Sequence, residues 1–214
     1  MAHPIFRLAA RALNWPLRVL IRPYPRLNAV VWDLQYALGL WRYLDHGQDP
    51  TPLELARRVV PRPRVLDLGC GTTVNLALPA DGYRHYHGVD ISRAAIRRAR
   101  SLRRPHTSFE AADLLSYHTA ARYDAVLLRE VLYYFTVDEA VGLLRRAAGF
   151  LDPGGQLLVW LYDVDSPAGA ELLRALRGCG LAVHAELAAG RDRAGVVLAL
   201  GAVGTADSNA SSPS

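Results

Sequence analysis

Two places in the chain carry residue types spaced for ligand chemistry. Val65-Leu66-Asp67-Leu68 is an apolar strand candidate that runs into Gly69-Cys70-Gly71-Thr72. Glycines at such a turn let the backbone reverse tightly and approach a ligand with no side chain in the way. The next strand candidate, His87-Gly88-Val89-Asp90, ends in an acid 21 residues after Gly69. A carboxylate at that strand end can accept hydrogen bonds from both hydroxyls of a ribose. Together the turn and the acid point to a nucleoside-containing cofactor. A dinucleotide fingerprint, G-x-G-x-x-G, calls for glycine at position 74, where Val74 stands, so a nicotinamide dinucleotide fits less well.

Elements that could position such a turn follow along the chain. Apolar strand candidates fall at Arg64 to Leu68, Tyr86 to Asp90, Tyr123 to Leu128, Gln156 to Tyr162, Ala182 to Leu187 and Val196 to Leu200. They are separated mostly by helical segments, including one after the glycine turn. That alternation predicts an α/β fold with an open, mainly parallel sheet and helices on both faces. Ala188 to Gly195 leaves no room for a crossover helix, so the last two strands are expected as an antiparallel hairpin. Leu53, Leu55, Ala56 and Val59 predict a helix capped by Thr51, with Glu54 completing a capping box. Residues 53–203 are expected to form the domain, 1–52 a helical arm or cover, and 204–214, rich in Ser and Ala, a disordered tail.

Five segments, in order and spanning about residue 36 to about 200, resemble the class I S-adenosylmethionine-dependent methyltransferases. Val65 to Thr73 is similar to the family's V-L-D-x-G-C-G-x-G strand and loop, with Asp67, Gly69 and Gly71 matching and Thr73 replacing the last glycine. Gly88-Val89-Asp90-Ile91-Ser92 resembles its ribose-binding strand end, with Ile91 flanking the adenine. Ala112-Asp113-Leu114 resembles the segment whose Asp meets the adenine amino group and whose next residue packs on the ring. Tyr123-Asp124-Ala125-Val126 and Glu130-Val131-Leu132-Tyr133-Tyr134-Phe135 resemble the fourth strand and the helix at the active-site rim. Leu151-Asp152-Pro153-Gly154-Gly155 resembles the turn entering the fifth strand.

The resemblance implies a Rossmann-like sheet of the seven-stranded type and S-adenosyl-L-methionine as cofactor. It assigns cofactor binding to Asp67, Gly69, Cys70, Gly71, Asp90, Ile91, Asp113, Leu114, Arg129 and Tyr43. Glu130 and Tyr134 are the candidate catalytic residues, and no metal is expected. E-V-L-Y-Y-F, with upstream Tyr36, Gly39, Trp41, Tyr43 and Leu44, is similar to bacterial small-molecule methyltransferases related to the nodulation N-methyltransferase NodS. A small-molecule acceptor is therefore expected, with N-methylation favoured over O- or C-methylation. Tyr133 and Tyr134 stand where many relatives carry a histidine, so no histidine base is available there. Asp163, after the fifth strand, is a second acid that could face the acceptor.

Composition bounds the alternatives. All 25 basic residues are arginine, which excludes Schiff-base and P-loop lysine chemistry. The formal charge of +5 resides in residues 1–32, where Arg7, Arg11, Arg18, Arg22 and Arg26 meet no acid. The rest balances 20 arginines against 20 acids, so nucleic acid is not expected as a partner. Arg93, Arg97, Arg98, Arg100, Arg103 and Arg104 are expected mostly on a solvated helix face. An RNA methyltransferase and a non-catalytic binding protein are the competing readings. Ile5, Leu8, Ala9, Ala12 and Leu13, then Leu17, Leu20 and Ile21, repeat at helical spacing beside the arginines, with Pro23 and Pro25 expected to stop the helix. This arm would cover the site or meet an anionic membrane surface. Truncation at about residue 30 is expected to spare the fold. Two distant cysteines, Cys70 and Cys179, make no disulfide framework, and no stretch reaches the length of a membrane span. A cytoplasmic protein, peripheral to a membrane at most, is expected.

Overall fold

The structure, a computed structural model, describes residues 24–41, 49–162, 164–188 and 195–201. Two helices, α1 (Pro25–Ala37) and α2 (Thr51–Val59), precede β1 (Arg64–Leu68). Then follow β2 (His85–Asp90), α3 (Arg93–Ser101), β3 (Thr107–Ala111), β4 (Tyr123–Arg129) and a 3-10 turn at Leu132–Tyr134. The chain continues with α4 (Val137–Ala148), β5 (Leu151–Tyr162), α5 (Pro167–Arg177), β6 (Ala182–Ala188) and β7 (Gly195–Gly201). The strands form one sheet in the order β3-β2-β1-β4-β5-β7-β6. β1 to β5 are mutually parallel, while β7 runs antiparallel between β5 and β6. All six expected strands are present, with the terminal pair as the expected hairpin.

Successive strand residues point to opposite faces, and the two faces have separate cores. Leu66, Leu68, Val126, Leu128, Leu157 and Val159 pack with Leu143 and Leu144 of α4 and Leu172 and Leu176 of α5. Val65, Ala125, Leu127, Leu158 and Trp160 pack with Leu53 and Ala56 of α2 and Ile96 and Ala99 of α3. Central parallel strands covered on both sides read as continuous apolar runs, which is why β1 and β4 were legible. β3 is an edge strand with only Phe109 buried, and it has no apolar alternation to announce it.

Several local expectations need correction. Thr51 does not cap α2 but is its first residue; Pro50 holds the cap position and no side-chain cap bond forms. Asp49 Oδ1 accepts the Thr51 N–H at 3.0 Å instead, because Asp49 is itself fixed by a parallel bridge to Leu76. A capping box does form at Thr136 and Glu139, ahead of α4. Residues 70–84 contain no helix after the glycine turn; a long irregular loop carries the chain to β2, with Leu76 and Tyr83 buried as its anchors. Leu151 to Gly155 belongs to β5 itself, bulged where pairing slips between Tyr123 and Ala125. The rim helix is the single 3-10 turn. Pro25 begins α1 rather than ending a helix, as suits proline at a first helical position. A cut at about residue 30 would therefore sever α1. The segment 1–23 lies outside the described residues.

β2 passes close to its neighbours at Gly88. A Cβ there would stand 2.7 Å from Phe109 Cδ1 and 2.8 Å from Cys70 Sγ. Overpacking of that kind costs about 1–3 kcal/mol. Gly88→Ala is expected to lower the unfolding free energy by that amount, measured from the urea midpoint, and an unchanged midpoint would show that β2 and β3 have slack.

Candidate active site

β1 and β2 end side by side, with Asp67 level with Gly88 and Leu68 with Val89. Beyond Leu68 the chain reverses at Gly69, whose φ is +81° and where a Cβ would lie 2.6 Å from Val131 Cγ2. The Gly69 and Cys70 N–H groups both donate to the Val89 carbonyl, at 2.8 and 3.0 Å. Gly71, at φ +58°, donates its N–H to Asp90 Oδ2 at 2.9 Å. Asp90 Oδ1 accepts the Ser92 N–H at 2.8 Å. Each carboxylate oxygen retains acceptor capacity. Asp90 is 8% exposed, and burial pushes its carboxyl up to about 6 despite the two backbone donors.

The loop is held from a second side by a residue that sequence reasoning had placed on a solvated face. Arg104 is half-buried and donates from one guanidinium nitrogen to the Thr73 carbonyl at 2.8 Å and to Thr73 Oγ1 at 3.3 Å. Thr73 is 1% exposed and left-handed, at φ +54°. The left-handed backbone costs a residue with a Cβ roughly 1–2 kcal/mol, and the two bonds from Arg104 offset it. The threonine thus holds a left-handed conformation that glycine adopts without that cost. The other five arginines of that run are exposed, as expected, although Arg100 also donates to the Phe109 carbonyl.

Asp67, fully buried, faces the α2 and α3 layer beneath this loop. Tyr86 donates its hydroxyl to Asp67 Oδ2 at 2.5 Å, and Arg129 Nε stands 3.9 Å from the same oxygen, an ion pair beyond hydrogen-bond reach. Asp67 Oδ1 and Arg129 Nε are both buried with no hydrogen-bond partner. Burial raises the Asp67 carboxyl above its ordinary value, opposed by Arg129 and Tyr86. A buried carboxylate and a partly exposed guanidinium, each with one buried atom lacking a hydrogen-bond partner, could take the ammonium and the carboxylate of a zwitterionic ligand. Cys70 is buried beside them, and burial with Asp90 and Asp67 pushes its thiol well up, so it contributes backbone rather than a thiolate.

α1 brings an aromatic cover. Tyr36 places its hydroxyl 3.0 Å from where a Cβ on Gly71 would lie. Trp32 packs 6.2 Å from Tyr36, stacks on Trp41 at 5.5 Å, and meets Tyr134 edge-on at 5.0 Å. Trp41 Nε1 donates to Gln35 at 3.3 Å. Asp33 secures α1 from beneath, accepting the Ser92 hydroxyl at 2.7 Å and the Ala94 N–H at 2.9 Å with the same oxygen. Tyr133 turns the other way and donates to the Tyr162 carbonyl at 2.7 Å, bracing the rim against β5. Sequence reasoning missed Trp32 and Asp33. The spacing of Trp32 and Tyr36 at i and i+4 was the available signal.

The structure brings Asp67, Gly69, Cys70, Gly71, Asp90 and Arg129 together around the loop. Glu130 lies at its rim, exposed and left-handed at φ +54°, a strained conformation that turns the chain out of β4. Ile91 is half-buried beyond Asp90. Asp113 accepts the Leu115 N–H at 3.0 Å through Oδ1. Leu114 is committed to the core at 4% exposure, which leaves little of its side chain to face a ring. Tyr43 and Asp163 lie outside the described residues. Among the described residues, no group of three or more His, Cys, Asp and Glu is placed to hold a metal. Tyr86→Phe removes the one hydrogen bond that the Asp67 carboxylate receives among the described residues and is expected to destabilise the chain by about 1–3 kcal/mol. The variant's Asp67 carboxyl rises further, so the loss should grow as pH rises and the carboxylate forms. Urea titrations across a pH series check this, and a loss independent of pH contradicts it.

Comparison with known proteins agrees with this geometry. Residues 65–155 match the model of the methyltransferase domain family. Trans-aconitate 2-methyltransferase of Methylobacterium radiotolerans is 33% identical over 142 residues, 65% of this chain and 54% of the relative. A second curated relative is likewise spanned over less than two thirds of its length. Magnesium protoporphyrin IX methyltransferase of Synechocystis PCC 6803, solved with bound S-adenosylmethionine, superposes with a TM-score of 0.63 at 17% identity, over 83% of this chain and 97% of that one. The N-methyltransferase NodS of Bradyrhizobium japonicum WM9, solved with S-adenosyl-L-homocysteine, gives 0.56 at 21% identity, over 70% and 83%. Sheet order and superposition agree: the chain has the fold of the class I S-adenosylmethionine-dependent methyltransferases, and its residues 65–155 are similar to the methyltransferase domain family.

Proposed function

We propose that the chain transfers a methyl group from S-adenosylmethionine to the nitrogen of a small-molecule amine. The observation that carries this reading is the pair of buried, unpartnered atoms, Asp67 Oδ1 and Arg129 Nε, beneath a loop whose N–H is tied to Asp90. The methionine end of the cofactor carries an ammonium and a carboxylate, the complements of Asp67 and Arg129. Asp90 would hold the ribose hydroxyls, and Ile91 and Asp113 would meet the adenine. Gly69, Cys70 and Gly71 would supply the backbone that lies along the cofactor. Bound there, S-adenosylmethionine supplies an electrophilic methyl group on a positively charged sulfur.

The chain's own residues then have to bind, orient and exclude water. Correct alignment of reacting groups is worth about 7 to 11 kcal/mol of barrier, so a strong base is optional. Glu130, at the end of β4, is placed to attract a cationic amine and take one proton from it. Trp32, Tyr36, Trp41 and Tyr134 offer aromatic faces, which favour an ammonium over a neutral hydroxyl. The similarity to an enzyme described as an N-methyltransferase supports nitrogen as the acceptor atom. Turnover against amine, hydroxyl and carboxylate acceptors, followed by mass spectrometry of the product, tests the assignment. An oxygen- or carbon-methylated product overturns it while leaving methyl transfer in place.

Cofactor affinity provides the site test. Asp90→Ala is expected to weaken S-adenosylmethionine binding by roughly tenfold to a hundredfold, as loss of a charged hydrogen-bond partner does. The sign of the pH dependence follows from the raised carboxyl. Its neutral form favours the empty fold below the ordinary value of 3.8, and that contribution is lost as pH rises through about 6. The ionised form is the one that accepts two hydroxyl donors. Affinity should therefore climb through about pH 6 and level off above it, while Asp90→Ala should lose that rise. Calorimetric titration across this range measures both, and a parent protein with flat affinity contradicts the ribose role.

A further inference from the structure

α1 has an outer face that nothing among the described residues covers. Tyr24, Leu27, Val30, Leu34 and Leu38 are 63%, 47%, 61%, 57% and 66% exposed, and Leu40 follows at 43%. On a helix of 3.6 residues per turn, Leu27, Val30, Leu34 and Leu38 fall in one stripe. The opposite face is occupied, since Trp32, Asp33 and Tyr36 point toward Tyr134, Ser92 and Gly71. Between Tyr24 and Leu38, the exposed residues include a single charge, that of Arg26. Asp33, the only acid of α1, is turned inward and accepts the Ala94 N–H at the start of α3.

Charge decides which partner suits this face. Residues 1–32 contain Arg7, Arg11, Arg18, Arg22 and Arg26 and no acid, and the outer face of α1 offers none to meet them. A second copy docked on the stripe would bring two such basic segments together. An anionic surface would neutralise them while taking up the apolar stripe. Among the described residues no helix is long and apolar enough to cross a membrane, whereas a helix with one exposed apolar stripe can lie in the interface plane.

We propose that α1 docks on an anionic lipid bilayer, with Tyr24, Leu27, Val30, Leu34 and Leu38 at the headgroup boundary and Arg26 beside the lipid charges. The same helix covers the glycine loop with its inner face, so an acceptor resting in the interface would lie about one helix diameter, roughly 10 Å, from Gly71. That last consequence rests on the methyl-transfer reading; the docking does not.

The test is sedimentation of the full chain with vesicles of phosphatidylcholine alone and of phosphatidylcholine with phosphatidylglycerol. The parent should bind the anionic vesicles at least tenfold better than the neutral ones, and raised salt should weaken that binding. Val30→Glu combined with Leu34→Glu should reduce anionic-vesicle binding at least tenfold while S-adenosylmethionine affinity, measured on the same sample, stays unchanged. Cofactor affinity also reports that the variant is folded and separates this proposal from the function proposed above. A parent that ignores anionic vesicles, or a variant that binds them as well as the parent, overturns the docking. Self-association of the parent that the variant abolishes, without vesicle binding, overturns it in favour of a second copy.

Discussion

The Gly71 N–H bond to Asp90 at 2.9 Å joins the two strand ends on which the site is built. β1 must end in a tight reversal for its loop to reach the end of β2, and that reversal depends on Gly69, where Val131 leaves no room for a Cβ. The carboxylate that receives the loop sits at the end of a strand already paired to β1 through Leu68 and Val89. Sheet register therefore sets the distance across which the bond forms. Ser92 uses the other carboxylate oxygen and then begins α3 as its cap. One side chain thus links loop, strand and helix, and burial raises its carboxyl while the two backbone donors oppose that rise.

The chain from Gly71 to β2 is a long irregular loop, and the structure compensates for the missing helix in two ways. Leu76 and Tyr83 anchor the loop by burial, and Arg104 fixes its left-handed threonine from the far end of α3. α1 then supplies cover from the other direction, tied to the start of α3 through Asp33 and laid across Gly71 by Tyr36. These ties meet at α3, whose N-terminus holds α1 and Asp90 and whose C-terminal side holds Thr73. Changes in α3 packing should reach the loop through both ends.

What the sequence made legible follows from burial. β1, β4 and β5 are central strands whose short, continuous apolar runs suit a sheet covered on both faces, and Asp67, Gly69, Gly71 and Asp90 lie at or beside the ends of such strands. The hairpin was legible because eight residues cannot hold a crossover helix. β3 was hidden because an edge strand with one buried residue looks like a loop. α1 was hidden because it is apolar outside and aromatic inside, so no polar face marks its period. Arg104 was misplaced because an arginine in a basic run gives no local sign of a partner 31 residues away. Thr51 failed as a cap because Asp49, held by Leu76, offers an acceptor first.

The central claim is that the loop tied to Asp90, above the Asp67 and Arg129 pair, is where the nucleoside and the amino-acid end of the cofactor bind. A crystal structure with S-adenosyl-L-homocysteine tests it most directly. The account predicts ribose hydroxyls within about 2.6–3.2 Å of the Asp90 carboxylate, and the homocysteine ammonium and carboxylate engaging Asp67 and Arg129. Homocysteine or ribose electron density elsewhere, with Asp67 Oδ1 and Arg129 Nε still unpartnered, would contradict it.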